Sequence, residues 1–309
     1  MSRYSRQRFT AGVSLGLLAF GVVQTQAASP SPSPSAVASK LPSPAPVSPQ
    51  LPVSTTATPS PSIQSVQQGP SIAIIDTGVN DSLFSNIVGE YCVLKFGMCP
   101  NGKQIMDGKG AANIPVTALN PTLAHGTEMA SIITKVNSAA KIIPIRIVGM
   151  SGTNTPMIAT LDEIKWALDW VIINQSKYNI KVVSISQGVI QPNCGAPNGM
   201  ASDIATLTSN GVAVIAASGN NSNRSAMMTP ACLPSVISIG ATDNPDPGVT
   251  GKPYDPNAKP IIAFYSNGTP QTSFYLNARW YVLEPNGVTK FMVGTSNATA
   301  SMAGWWTLN

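Results

Sequence analysis

The sequence predicts an α/β domain, with a central, mostly parallel sheet between helices in three α/β/α layers. Two patterns carry this expectation. Short runs rich in Ile and Val are nearly continuous in apolar character, as strands buried on both faces require. Helix-like stretches separate these runs, and regular strand–helix alternation is the signature of a parallel sheet.

Taken in order, Ile72 to Ile75 reads as the first buried strand and Gly126 to Val136 as the first helix. Ile142 to Val148 gives the next strand. The stretch Met157 to Gln175 then repeats Ile158, Leu161, Ile164, Leu168, Val171 and Ile172 at helical spacings, with Asp162, Glu163, Lys165 and Asp169 expected on its other faces. Val182 to Ile185, Val212 to Ala216 and Val236 to Ile239 continue the strands, and Ser202 to Ser209 adds a helix. Such sheets place their chemistry just beyond the carboxyl ends of the strands.

Two segments precede this domain. Arg3, Arg6 and Arg8 stand ahead of the uncharged apolar run Ala11 to Val23, and small residues follow around Ala27 and Ala28. Residues 1–27 therefore read as a signal peptide. The run is shorter than the ~20 residues that span a bilayer, so cleavage rather than anchoring is expected. Residues 28–70 switch to Pro, Ser, Ala, Thr and Val. They have too little contiguous apolar surface to offset ordering entropy and read as a disordered linker. The globular domain is expected over residues 71–309, a size suited to one large core.

The formal charge of +5 falls to +2 without the three signal arginines. No dense Lys/Arg patch remains to favour nucleic acid or, once the signal is removed, a membrane. Export predicts a secreted, periplasmic or cell-envelope protein, where Cys92, Cys99, Cys194 and Cys232 are expected to form two disulfides. Of the three possible pairings, Cys92 with Cys99 closes a short loop and leaves Cys194 with Cys232. A zinc site is disfavoured, because no Cys-x-x-Cys occurs and the one histidine lies elsewhere.

That histidine is His125, in Ala124-His125-Gly126-Thr127. Imidazole is the side chain whose ordinary pKa suits proton transfer near neutrality. Asp76 ends the first strand in Asp76-Thr77-Gly78 and is placed to fix the imidazole tautomer if the two segments converge. Ser296, in Gly294-Thr295-Ser296-Asn297, opens a run of small residues suited to a closely packed helix. The first N–H groups of such a helix can stabilise an oxyanion. Asn220, in Ser218-Gly219-Asn220, follows another strand and can donate its amide to the same charge.

The chain order Asp, His, Asn, Ser resembles the subtilisin-like serine peptidases, the subtilase family S8. The matching segments are Ile75-Asp76-Thr77-Gly78-Val79, His125-Gly126-Thr127, Ser218-Gly219-Asn220 and Gly294-Thr295-Ser296. Val183-Ser184-Ile185-Ser186-Gln187-Gly188, Gly240-Ala241-Thr242-Asp243 and Phe264-Tyr265-Ser266-Asn267-Gly268 add further echoes, so the likeness spans roughly residues 71 to 304. It implies a subtilisin-like fold and hydrolysis of peptide bonds through an acyl-enzyme. Ser296 would be the nucleophile, His125 the base and then the acid, and Asp76 the residue that orients His125. Asn220 and the Ser296 N–H would hold the oxyanion. Ser186, Gln187 and Gly188 would pair with the substrate backbone as an added strand. The implied partner is a protein or peptide substrate, with no cofactor.

The chain departs from the family pattern at Asn297, where Met is usual, at Ala300, where Pro is usual, and at Glu128, where a second His is common. Asn297 must find polar partners if it is buried. Residues 28–70 are too short and proline-rich for the folded propeptide of secreted subtilases, so either folding proceeds without one or an external folding helper or inhibitor takes that part. The loop Asn137-Ser138-Ala139-Ala140 is too brief for the family's calcium loop, and no metal is expected. The chain stops 13 residues after Ser296, so a truncated C-terminus with a thinly covered serine helix is expected. Two other functions compete. Asn297, Ala300 and the short end suit a catalytically silent subtilase fold used for binding or scaffolding. Asp76-Thr77-Gly78 is also an aspartic-peptidase signature, although that chemistry needs a second paired carboxylate.

Overall fold

The computed structural model describes residues 69–114, 121–150, 156, 159–243 and 259–308. The expected signal, nearly all of the expected linker, and residues 157 and 158 of the expected long helix lie outside them.

Among the described residues, nine strands form the main sheet. They are β1 (Ser71–Asp76), β2 (Tyr91–Val93), β3 (Ile105–Asp107), β4 (Lys141–Arg146), β5 (Ile180–Ile185), β6 (Ala213–Ala217), β7 (Ile237–Asp243), β8 (Ile261–Ile262) and β9 (Phe274–Asn277). Their order is β3-β2-β4-β1-β5-β6-β7-β8, with β9 also on β7. Every pairing is parallel except β2 with β3 and β7 with β8. A separate antiparallel ribbon joins β10 (Arg279–Leu283) to β11 (Thr289–Val293). The helices are α1 (His125–Val136), α2 (Leu161–Asn174), α3 (Met200–Ser209) and α4 (Thr295–Trp306).

The three layers follow from the period of two along β1. Ile72 and Ile74 face one core with Ile132 and Ile133 of α1 and Ala298 and Met302 of α4. Ala73 and Ile75 face the other, with Ile164, Leu168 and Val171 of α2 and Ile204 and Leu207 of α3. All six β1 residues are buried, which is why its sequence shows no polar alternation.

The expected strands and helices all form, with ends displaced by a few residues. Glu163, expected on a face of α2 other than its apolar stripe, is nevertheless buried at 2 % exposure. It completes the start of that helix: its Oε2 accepts from Thr160 N at 2.6 Å, and its Oε1 accepts from Lys95 N at 2.8 Å. A first-turn carboxylate satisfies backbone donors that the helix itself leaves unpaired. The serine helix is also better covered than expected. It is buried from Thr295 to Gly304 except at Ser301, packed against α1 and the β10–β11 ribbon. Disulfides join Cys92 to Cys99 and Cys194 to Cys232, at Cα separations of 6.0 and 5.9 Å.

β1, β5 and β6 are neighbours in the sheet and run in parallel. Asp76, the segment Ser186-Gln187-Gly188 and the segment Ser218-Gly219-Asn220 are therefore brought to one carboxyl edge.

Candidate active site

The end of β1 and the start of α1 touch through their smallest residues. A β-carbon on Gly126 would lie 2.1 Å from Gly78 O, so only glycine permits this approach. Thr77 fastens the junction, its hydroxyl donating to Leu123 O at 2.9 Å and accepting from Gly126 N at 2.8 Å. Thr127 accepts from Asn80 N at 3.0 Å. The Thr and Gly of both motifs thus hold Asp76 and His125 together rather than acting on a substrate.

His125 Nδ1 lies 2.8 Å from Asp76 Oδ1 and 3.0 Å from Oδ2. Asp76 is buried, and its Oδ1 also accepts from Thr77 N at 2.7 Å. The His125 side chain keeps 18 % of its surface exposed. Burial alone lowers the His125 pKa, but the Asp76 charge and hydrogen bond, helped by Glu128, outweigh it against the opposing Lys290. The imidazole is held above its ordinary value, as expected of a ring whose protonated form faces a carboxylate.

Adjacent residues after β5 link this pair to the serine. Gln187 Nε2 donates to Asp76 Oδ1 at 3.3 Å and lies 3.4 Å from His125 Nδ1. Its neighbour Ser186 meets Ser296 twice: Ser186 Oγ donates to Ser296 O and Ser296 Oγ donates to Ser186 O, both at 3.5 Å. Consecutive α-carbons are only about 3.8 Å apart, so one short segment bridges the two halves of the site. Among the described residues, the Ser296 hydroxyl has this long bond to Ser186 and none to His125.

Ser296 is the second residue of α4. Its predecessor Thr295 donates N and Oγ1 to Asn220 Oδ1, at 2.9 and 3.0 Å. These two donors fix the amide with Nδ2 turned away from Thr295. A β-carbon on Gly294 would lie 3.6 Å from Asn220 Nδ2 and 3.9 Å from Ser296 N. Two N–H donors therefore border the space that Gly294 leaves open, an arrangement able to stabilise negative charge on an oxygen.

Asn297 is fully buried, and its Nδ2 donates to Ala278 O at 3.0 Å, while its Oδ1 has no partner among the described residues. Among the described residues no cluster of three or more His, Cys, Asp or Glu side chains could hold a metal ion. No helix there is long and apolar enough to cross a membrane.

Sequence reasoning missed two features. Lys290 of β11 reaches the buried Glu128, Nζ to Oε1 at 2.6 Å, and pairs with Glu284 at 2.9 Å. Glu128 sits three residues after His125, one helical turn away, and that spacing was a readable sign of charge beside the imidazole. Gln187 was expected to serve a substrate through its backbone, and the turn of its side-chain amide to Asp76 was not foreseen. Nothing in spacing signals this.

The fold is that of the subtilisin-like proteases. The protease domain of PatA superposes with a TM-score of 0.58 at 18% identity, covering 79% of this chain and 81% of that one. A cold-adapted subtilisin-like serine proteinase gives a TM-score of 0.56 at 21% identity, covering 78% and 75%. The sequence model of the subtilase family, peptidase S8, matches residues 67–308, and the chain belongs to that family. It is similar to the alkaline serine protease ver112 of Corniculantispora psalliotae, 27% identical over 244 residues, which are 78% of this chain and 54% of that protein. Subtilisin Savinase of Lederbergia lenta is 26% identical over 184 residues, 57% of this chain and 56% of that protein. The chain spans about half the length of these curated relatives.

Proposed function

We propose that this chain is an exported serine endopeptidase that hydrolyses peptide bonds through Asp76, His125 and Ser296. The observation that carries the reading is the bridge of Ser186 and Gln187, which keeps the Asp76–His125 pair and Ser296 at one sheet edge. His125 takes the Ser296 proton as the hydroxyl attacks the substrate carbonyl, and the acyl-enzyme forms when His125 returns it to the leaving amine. Water then reverses the sequence. Asp76 holds Nδ1 protonated so that Nε2 is the base. Asn220 Nδ2 and Ser296 N receive the charge on the carbonyl oxygen. Ser186, Gln187 and Gly188 offer backbone to an extended substrate. Export rests on residues 1–27 as a signal peptide, with 28–70 as the spacer to the enzyme domain and the envelope or medium as destination.

A second reading, a silent subtilase fold that binds without cutting, is favoured by the Ser296 hydroxyl facing Ser186 rather than His125. One experiment separates them. A fluorophosphonate probe is expected to label Ser296 in the full chain and to lose that labelling in His125→Ala. Folded wild-type protein that takes no label would establish the silent form. The aspartic-peptidase alternative gains nothing, because Asp76, at the end of a parallel strand, is partnered by the imidazole of His125 at the start of α1.

A further inference from the structure

The two segments flanking the cleft beside Ser296 are tied together at one end by a third. Met228 N donates to Ser218 O at 2.9 Å. Thr229 pairs with Val189 in both directions, Val189 N to Thr229 O at 3.1 Å and Thr229 N to Val189 O at 2.9 Å. Residues 228–229 therefore form a floor between one wall ending in Gly188 and another containing Gly219.

The Met228 side chain rises from that floor into the gap. A β-carbon on Gly188 would lie 3.2 Å from Met228 Cβ and 3.3 Å from Cε. One on Gly219 would lie 2.7 Å from Met228 Cγ and 3.0 Å from Sδ. The thioether is thus held between the α-carbons of Gly188 and Gly219 and is half-buried.

A substrate residue whose carbonyl Ser296 attacks must enter this gap. Its carbonyl oxygen belongs beside Asn220 Nδ2 and Ser296 N, on the Gly219 side. Its backbone belongs along the Gly188 side. The side chain of that residue is then aimed between the walls at the floor, where Met228 stands. We propose that Met228 fills the pocket for the residue preceding the scissile bond and restricts it to Gly, Ala or Ser. This inference rests on the serine-peptidase reading above. The discrimination is steric. Leu or Phe must displace a thioether that has glycine α-carbons on both sides, and a single misfitting methylene in an apolar pocket costs about 10- to 200-fold.

The test uses the full chain and peptides that differ only in the residue before the scissile bond, Ala, Leu or Phe. Wild type, Met228→Ala and Met228→Gly are compared, with active sites counted by fluorophosphonate titration so that unfolded protein does not enter the rates. Wild type is expected to favour Ala over Phe in kcat/KM by about tenfold or more. Met228→Gly is expected to shrink that ratio about tenfold or more by accelerating the Phe peptide. A wild type that cleaves after Phe as readily as after Ala overturns the role of Met228 and leaves the peptidase intact. Ratios unchanged in both variants do the same. No label and no turnover with any peptide overturn both readings together.

Discussion

Gln187 Nε2 donates to Asp76 Oδ1 at 3.3 Å and stands 3.4 Å from His125 Nδ1. This amide shares the negative charge of Asp76 and presents a positive dipole end to the ring, so both contacts disfavour the imidazolium. Gln187→Leu is expected to raise the His125 pKa and move the acid limb of kcat/KM to higher pH. His125 is the only histidine in the chain, so its ring signals can be titrated directly by NMR. An unmoved titration in the folded variant would remove Gln187 from the positioning of this pair.

The raised His125 pKa also sets a sign for stability. A group whose folded value exceeds its unfolded value of about 6.5 stabilises fully below that pH. The contribution fades as pH rises through the folded value. The stability difference between wild type and His125→Ala should therefore shrink on going alkaline, measured by urea unfolding across that window. Activity runs the other way, since the base must be neutral. Asp76→Asn should lower the His125 pKa relative to wild type and cut kcat by about 10⁴-fold.

Lys290 is the ion-pair partner of Glu128, whose side chain is only 3 % exposed. Lys290→Met leaves a buried carboxylate with that partner gone and is expected to cost about 1–3 kcal/mol, reduced because the lysine itself is partly in water. The loss of a nearby positive charge should also raise the His125 pKa further. The double variant Lys290→Met/Glu128→Gln should recover much of the stability. Urea denaturation of Lys290→Met, Glu128→Gln and the double variant measures this, and a double loss equal to the sum of the two single losses would show that the pair is uncoupled.

The two disulfides should contribute unequally. Cys194–Cys232 closes a sequence separation of 38 and Cys92–Cys99 one of 7. Chain-entropy scaling assigns about 4 kcal/mol to the first and about 2.5 kcal/mol to the second. Paired Cys→Ser variants, compared by thermal or urea unfolding, should fall in that order. The longer loop should also affect activity more, because Thr229 Oγ1 touches both of its sulfurs while the backbone oxygen of Thr229 lies against Gly188.

Much of this was legible beforehand. The apolar strands were readable because burial on both faces leaves no polar alternation, and α2 because its stripe recurs at helical spacing. Asp76, His125, Asn220 and Ser296 stood out as candidates because each sits in a short glycine-containing motif. The burial of Glu163 was not foreseen because periodicity assigns a face, whereas a capping carboxylate follows the orphan N–H groups of its helix. Gln187 and Met228 were opaque for another reason. Their roles depend on the direction of one side chain across segments that are distant in sequence.

By itself the sequence determined the class of sheet, the cysteines available for pairing and the residue types that reach its carboxyl edge. These depend on local periodicity and on motifs whose glycines permit close approach. The tertiary structure alone decided which groups meet: Gln187 on Asp76, Lys290 on Glu128, and Met228 between Gly188 and Gly219. Such contacts depend on strand register and side-chain direction, which long-range packing fixes.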